Sequence, residues 1–201
     1  MAKISLFDPE NSFWSFLNRI YNLAFAGLLW FLTSLPIFTI GASTTALYSY
    51  AFAVTAQRDG YVSRTFFASF RKNFAKATVL WLGMLLIFAF LFFDAYLAST
   101  GKSMVSKGMF FIVLSGAIIV AMPAVHVFPF LSQWDLSYKE MAKKIILVGI
   151  GNLPISLTLV VVNSVFFLLI YAFPPAALFV QGFVAALCSL FLKEPYSRLY
   201  Q

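Results

Sequence analysis

The stretch that decides the fold is residues 20–57, IYNLAFAGLLWFLTSLPIFTIGASTTALYSYAFAVTAQ, which contains no charged side chain. As one straight helix these 38 residues would be about 57 Å long, at about 1.5 Å per residue. The hydrocarbon core of a bilayer is about 30 Å thick and is crossed by about 20 residues. The run is therefore predicted to fold back on itself, where a proline and a glycine lie between Ser34 and Ser43, as two membrane spans, 20–38 and 43–57.

The composition of the whole chain favours the bilayer as its solvent. Hydrophobic residues make up 62% of the 201 residues and charged residues 10%, whereas soluble domains average about 45–50% and about 25%. A second long run without charge, 145–192, is interrupted by Pro174 and Pro175. The sequence therefore predicts an all-α integral membrane bundle of six transmembrane helices. The four further spans are predicted at 77–97, 108–131, 145–173 and 176–192.

The positions of lysine and arginine predict the orientation of these spans, because cytoplasmic loops of membrane proteins are enriched in both residues. With six crossings and a cytoplasmic N-terminus, 12 of the 14 Lys and Arg residues lie in the inner segments 1–19, 57–76, 131–144 and 193–201. Both termini are therefore predicted to be cytoplasmic. The net charge of +7 belongs to these loops, and no nucleic-acid partner is predicted.

The first cytoplasmic loop contains an amphipathic segment, 63–76. At about 100° per residue, its phenylalanines fall on one side of a helix and its basic residues on the other. A short helix of this kind is typical of the headgroup layer of a membrane. It is predicted to anchor the loop to anionic lipids, and a docking surface for a partner is the alternative. The two faces are Phe66, Phe67, Phe70 and Phe74 on one side, and Arg64, Arg71, Lys72 and Lys76 on the other.

Three polar side chains inside apolar runs are candidate intramembrane sites, since such groups are costly at membrane depth. Asp94 can bind a cation or a substrate, or it can pair with Lys102 or Lys107. His126 lies between two prolines that free backbone carbonyls for it, so it is either functional or a hydrogen-bonded structural residue. Asn152 is predicted to form a hydrogen bond between helices.

The predicted start of the second span is rich in small and hydroxylated residues. A helix N-terminus offers unpaired N–H groups, which together with hydroxyls can hold an anion or a sugar hydroxyl. Simple capping of the helix is the plainer interpretation. The candidate residues are Gly41, Ser43, Thr44 and Thr45.

The sequence contains few residues that could catalyse a reaction. It contains one histidine, His126, and one cysteine, Cys188, which are too few for a Cys/His zinc site. No two carboxylates share a helix face within the apolar runs, and the sequence pattern places no nucleophile beside His126. No catalytic residue, metal or cofactor is therefore predicted, and the protein is not expected to be an enzyme.

Three motifs stand out along the chain. The first is LPIFTIGASTTALY at 35–48, the second is RDGY at 58–61 followed by FFxxFRKNF at 66–74, and the third is VFPF at 127–130. Together they resemble the YesL family of small bacterial membrane proteins. The family is common in Gram-positive bacteria, so the resemblance implies a multi-pass protein of the bacterial plasma membrane.

The resemblance also implies a link to carbohydrate uptake. The protein is expected to be an accessory or scaffolding subunit associated with permease subunits of a carbohydrate ABC importer, with membrane lipids as its other partners. The alternative is an autonomous small-solute transporter or channel that uses Asp94, His126 and the helix N-terminus at 41–45. A transporter needs such groups in one cavity near mid-membrane, whereas a subunit needs a helix flank for another chain.

Overall fold

The computed structural model describes residues 12–58, 60–101 and 103–197. Every regular element in this part of the chain is a helix, so the all-α prediction is confirmed. Two short 3-10 segments, Ile37–Thr39 and Pro174–Leu178, precede the second and the last α-helix. In chain order the α-helices are α1 (Ser12–Ser34), α2 (Ile40–Thr55), α3 (Val62–Thr100), α4 (Met104–Ala124), α5 (Val127–Gln133), α6 (Tyr138–Gly151), α7 (Leu153–Ala172) and α8 (Val180–Ser197).

Four segments of the described chain are long and apolar enough to cross a membrane, and each overlaps one of the predicted spans. They are Ile37–Thr55, Val62–Thr100, Met104–Gln133 and Leu153–Ala172. α1 and α8 are not among them. α1 contains Asn18, Arg19 and Asn22, and α8 contains Lys193 and Glu194 near its end, which lowers the mean hydropathy of both helices.

Two of the predicted spans are interrupted in the structure. The fourth is divided between α4 and α5 at His126, and the fifth between α6 and α7 at Asn152. In each case a proline, Pro129 or Pro154, lies in the first turn of the second helix. Its missing N–H needs no partner there, but the same proline would break a helix that continued through it. The prolines therefore explain both interruptions.

α2 is the central helix and packs against α1, α3, α5 and α8. Its close approach to α3 depends on Gly41, where an added Cβ would lie 2.6 Å from the carbonyl oxygen of Ala77. α1 and α8 also meet closely, because Gly182 lies against the backbone of Leu23 and Gly27. Glycine lets helix backbones approach where no side chain fits between them, so these two contacts fix how the central helices pack.

The amphipathic segment 63–76 is not a separate helix. It forms the first turns of α3, which continues without a break for 39 residues, or about 58 Å at about 1.5 Å per residue. No proline or glycine occurs between Gly60 and Gly83 to end the helix. The predicted short interfacial helix is therefore the first part of α3, and it packs against α2.

The second half of α3 and most of α4 extend past the turn between α1 and α2. The buried residues of α3 all lie between Val62 and Ala77, and α4 has none. The turn contacts α3 at Trp81, whose indole N–H donates a hydrogen bond to the carbonyl of Ile37 at 2.8 Å. About 29 Å of α3 follow Trp81, which is close to the thickness of a hydrocarbon core.

We call residues 82–100 and 104–120 the outer hairpin. The predicted spans would align the turn between α1 and α2 with residue 97, the far end of the third span. The structure instead aligns it with Trp81, about 24 Å earlier along the helix axis. The charge-free parts of α2 and α3 are therefore offset from each other.

Candidate functional site

A cavity of about 510 Å³ lies where α1, α2, α3, α4, α5, α7 and α8 meet. Most of its wall is aromatic or aliphatic, and none of the described residues that line it is charged. Pockets of this size with mostly apolar walls and a few polar groups are typical of small-molecule sites. The aromatic residues of the wall are Trp30, Phe31, Tyr48, Trp81, Phe88, Phe128 and Phe167.

The polar side chains of the cavity differ in whether they have partners. Trp30 Nε1 donates to Thr44 Oγ1 at 3.0 Å, and Asn163 Nδ2 donates to a carbonyl of its own helix at 2.8 Å. Ser34 Oγ and Gln181 Oε1 are buried and have no hydrogen-bond partner. Two residues of the cavity wall therefore carry a buried polar atom that has no partner.

The residues predicted to form an exposed helix N-terminus lie inside the bundle. α2 begins one residue before Gly41, so these residues belong to its first two turns. Ser43 and Thr45 are buried, and their hydroxyls donate to the carbonyls of Thr39 at 3.0 Å and Gly41 at 2.9 Å. These hydroxyls therefore neither cap the helix nor point outward, and Gly41 serves helix packing. Thr44 is the one of the four that lines the cavity.

His126 is buried at the break between α4 and α5. Its Nε2 lies 2.9 Å from Oγ of Ser156 in α7, and Ser156 donates to the carbonyl of Gly149 at 2.8 Å. Since a hydroxyl has one proton, this geometry assigns the imidazole proton to Nε2 and leaves Nδ1 as an acceptor without a partner. The contact joins the break between α4 and α5 to the break between α6 and α7.

A serine beside a histidine has the arrangement of a nucleophile and its base. Here both side chains are 0% exposed, and the serine proton is directed at a backbone carbonyl. No group of three His, Cys, Asp or Glu side chains in the described chain can hold a metal ion. Ser156 lies 30 positions from His126 with no motif joining them, so sequence reasoning missed it.

The other two polar candidates lie apart from the cavity. Asp94 is half-buried on the outer hairpin, and within the described residues it forms no ion pair with Lys107. Lys102, its other predicted partner, lies outside the described residues. Asn152 stands at the break between α6 and α7, where its Nδ2 donates to the carbonyl of Val148, four residues earlier, at 3.2 Å, and not to another helix as predicted. The candidates of the transporter alternative are thus not brought into one cavity.

The two faces of the segment 63–76 have different surroundings. Phe66 is fully buried, and Phe70 and Phe74 pack against the core, whereas Phe67 is 38% exposed. The ring centroids of Phe66 and Phe70 are 6.3 Å apart and those of Phe70 and Phe74 are 5.4 Å apart. This aromatic row faces protein, while the basic residues Arg64, Arg71 and Lys72 are exposed.

Lys76 links this segment to the loop between α5 and α6. Its Nζ donates to Asp135 Oδ1 at 2.8 Å and to the carbonyl of Leu136 at 2.6 Å. The same ammonium group holds the pKa of Asp135 below its usual value. At the start of α6, Ser137 and Glu140 form a capping box. Hydrogen bonds from the hydroxyl and N–H of Ser137 lower the pKa of Glu140.

These features define a helical protein with several segments suited to a membrane and an uncharged, aromatic cavity at its centre. A family model described as "Protein of unknown function, DUF624" matches residues 23–95. The matched region covers the second half of α1, all of α2 and most of α3, and it contains the motifs at 35–48, 58–61 and 66–74. No curated protein and no solved structure matches the chain.

Proposed function

We propose that this protein is an accessory or scaffolding subunit of a bacterial plasma membrane, associated with permease subunits of a carbohydrate ABC importer. The family match over residues 23–95 supports the proposal, since YesL-type proteins are in that family. The resemblance to YesL proteins implies the link to carbohydrate uptake. The proposed role is binding, with no catalytic residue and no cofactor.

The observation that carries the proposal is the outer hairpin. Most of its large apolar side chains are exposed, and Gly83, Gly108 and Gly116 have open space where a Cβ would be. Glycine in a helix interior costs about 1 kcal/mol relative to alanine, and these glycines give no close packing within the chain in return. Small residues on membrane helices are typical of surfaces approached by another helix. The hairpin therefore suits contact with a second membrane protein.

The transporter alternative has less support from the geometry. Asp94 is on the outer hairpin, His126 is enclosed beside Ser156, and Thr44 alone of its group lines the cavity. The described residues thus offer no connected row of ionisable groups for a coupling ion. Purified protein in liposomes is expected to move no sugar. A flux of sugar or protons that Asp94→Asn abolishes would favour the alternative.

Six crossings with both termini in the cytoplasm are part of the proposal. If only the four most apolar segments crossed, with 57–76 and 131–144 inside, eight Lys and Arg residues would be inside and six outside. Six crossings give 12 inside and two outside, which agrees far better with the positive-inside rule. α1 and α8, which both pack against α2, would supply the two further crossings.

Purification in a mild detergent tests the association. The tagged protein is expected to co-purify with permease subunits identified by mass spectrometry, and its deletion is expected to impair uptake of one class of oligosaccharide. Gly116→Leu fills open space on the outer hairpin, so it should remove the permease from the eluate without a clash inside the protein. Gly151→Leu, at an equally open position at the end of α6, is the matched control and should retain it.

Two results would contradict this reasoning. Co-purification of the wild-type protein with no permease would remove the proposed partner. Equal recovery of permease with Gly116→Leu and Gly151→Leu would show that the outer hairpin is not the contact surface.

A further inference from the structure

The cavity at the centre of the bundle has the properties of a binding site. We propose that it binds a neutral amphiphile, a lipid-like molecule with an apolar body and a hydroxyl-bearing head, of which diacylglycerol is a simple case. This inference does not rest on the association with an importer, because it depends only on the wall of the cavity.

The absence of charge in the wall selects a neutral ligand. None of the described residues that line the cavity is Asp, Glu, Lys, Arg or His. A phosphate or ammonium head placed there would be buried without a counter-ion, which is strongly unfavourable. Inorganic ions and charged phospholipid heads are therefore excluded, while an uncharged head is not.

Two residues of the wall call for a hydrogen-bonding head. Gln181 lines the cavity and is 5% exposed, and its Oε1 is buried without a partner. Ser34, on the neighbouring helix α1, also lines the cavity, and its Oγ is buried and unpartnered. Buried polar atoms are almost always hydrogen-bonded in native proteins. A rotation of either side chain towards the cavity would let a ligand hydroxyl donate to the amide oxygen of Gln181 and another accept from Ser34.

The rest of the wall favours a largely apolar ligand over a sugar. The indole N–H groups of Trp30 and Trp81 are already bonded, to Thr44 Oγ1 at 3.0 Å and to the carbonyl of Ile37 at 2.8 Å. Both indoles therefore offer the ligand only their apolar rings. A sugar carries a hydroxyl on most of its carbons, and the cavity has too few free polar atoms for them. A volume of about 510 Å³ holds a glycerol head and part of its acyl chains.

Photolabelling in lipid nanodiscs tests the proposal. The full chain would be placed in phosphatidylcholine discs with a trace of diacylglycerol that carries a photoreactive group at the start of one acyl chain. Labelled peptides are expected to map to the cavity wall, in α1, α7 and α8. Unlabelled diacylglycerol should compete, and phosphatidylglycerol with the same acyl chains should not.

Variants of the two polar atoms show whether the head is recognised. Gln181→Leu should lower specific labelling by about fivefold, as expected for the loss of one hydrogen bond, and Ser34→Ala should also lower it. Gln133→Leu, at an exposed position outside the cavity, is the matched control. Tryptophan fluorescence and elution volume check that each variant is folded.

Three outcomes would overturn the proposal. Equal competition by phosphatidylglycerol would mean that only acyl chains enter the cavity. Labelling confined to the exposed faces of the outer hairpin would place the lipid outside it. Unchanged labelling in folded Gln181→Leu and Ser34→Ala proteins would show that neither atom contacts the head.

Discussion

Substitution of Gly182 by alanine tests the contact between α1 and α8. An added Cβ would overlap the carbonyl oxygen of Leu23 and lie 3.2 Å from the backbone nitrogen of Gly27. Both atoms are backbone, so no side-chain rotation can relieve the overlap and the helices must separate. Overpacking of this kind costs about 1–3 kcal/mol, and a clash with backbone belongs at the upper end. The better helix propensity of alanine offsets at most about 1 kcal/mol of this cost. The free energy of unfolding is therefore expected to fall by about 2 kcal/mol.

The measurement is the free energy of unfolding during an SDS titration in mixed micelles, followed by tryptophan fluorescence. Gly108→Ala is the control, because its Cβ would meet nothing within 4 Å, so a gain of up to about 1 kcal/mol is expected. Gly27 faces Gly182 across the contact, and its own Cβ would lie 2.8 Å from the carbonyl oxygen of Phe179. The double substitution should therefore cost less than the two single ones added together. Equal stability of Gly182→Ala and Gly108→Ala would refute the close crossing.

Three further predictions test the segment 63–76, the topology and the loop after α5. Phe66→Ala should destabilise the protein by about 3–5 kcal/mol, because Phe66 is 0% exposed, and Phe67→Ala should cost far less; equal losses would contradict the burial of one face. With Cys188 replaced by serine, a membrane-impermeant thiol reagent should reach cysteines at positions 35 and 107 from outside the cell if six helices cross. Labelling at 107 alone would leave the α1–α2 turn on the inner side. The lowered pKa of Asp135 favours its ionised form in the folded protein, so the stabilisation is complete above the unfolded pKa of about 3.9 and is lost as the pH falls through the lower folded value. Asp135→Asn should flatten that acid dependence in the SDS titration, and an unchanged pH profile would count against the Lys76 contact.

Patterns local in sequence predicted much of the fold. The charge-free runs identified the apolar helices, and the proline–glycine stretch placed the turn before α2. The spacing of Phe66 and Phe70 placed them on one helix face, although that face packs against protein and not, as predicted, against the headgroup layer. These features depend on the periodicity of a single helix and on the cost of charge in an apolar layer, both of which can be read within a short window.

Contacts between segments that are distant in the sequence could not be predicted from such local patterns. Ser43 and Thr45 looked like capping residues, but the helix begins earlier and their hydroxyls bond to its own carbonyls. The partner of His126 is Ser156, on a different helix. Gln181 lies in the cavity wall, where its Oε1 is buried without a partner. Each outcome depends on how helices are rotated against one another, which no single helix pattern determines.

The register between α2 and α3 connects the fold to the proposed topology. Ser49 Oγ lies 2.6 Å from Ser69 Oγ, so α2 runs beside the basic half of α3 and the outer hairpin continues beyond it. In a bilayer centred on α2, Lys72 would lie within the apolar layer. A charge at the centre of a membrane helix costs about 2.5–3.5 kcal/mol.

Six crossings therefore require α2 and α3 to shift along each other, so that the outer hairpin lies at the depth of α2 and the basic half of α3 lies outside the apolar layer. Spin labels at positions 35 and 100 would be about 29 Å apart along the straight α3 of the structure. If all six helices cross, both positions lie at the outer surface, and a much shorter distance is expected in bilayers. A distance that stays near 29 Å would leave the outer hairpin as the membrane-crossing unit and α1 and α2 beneath it.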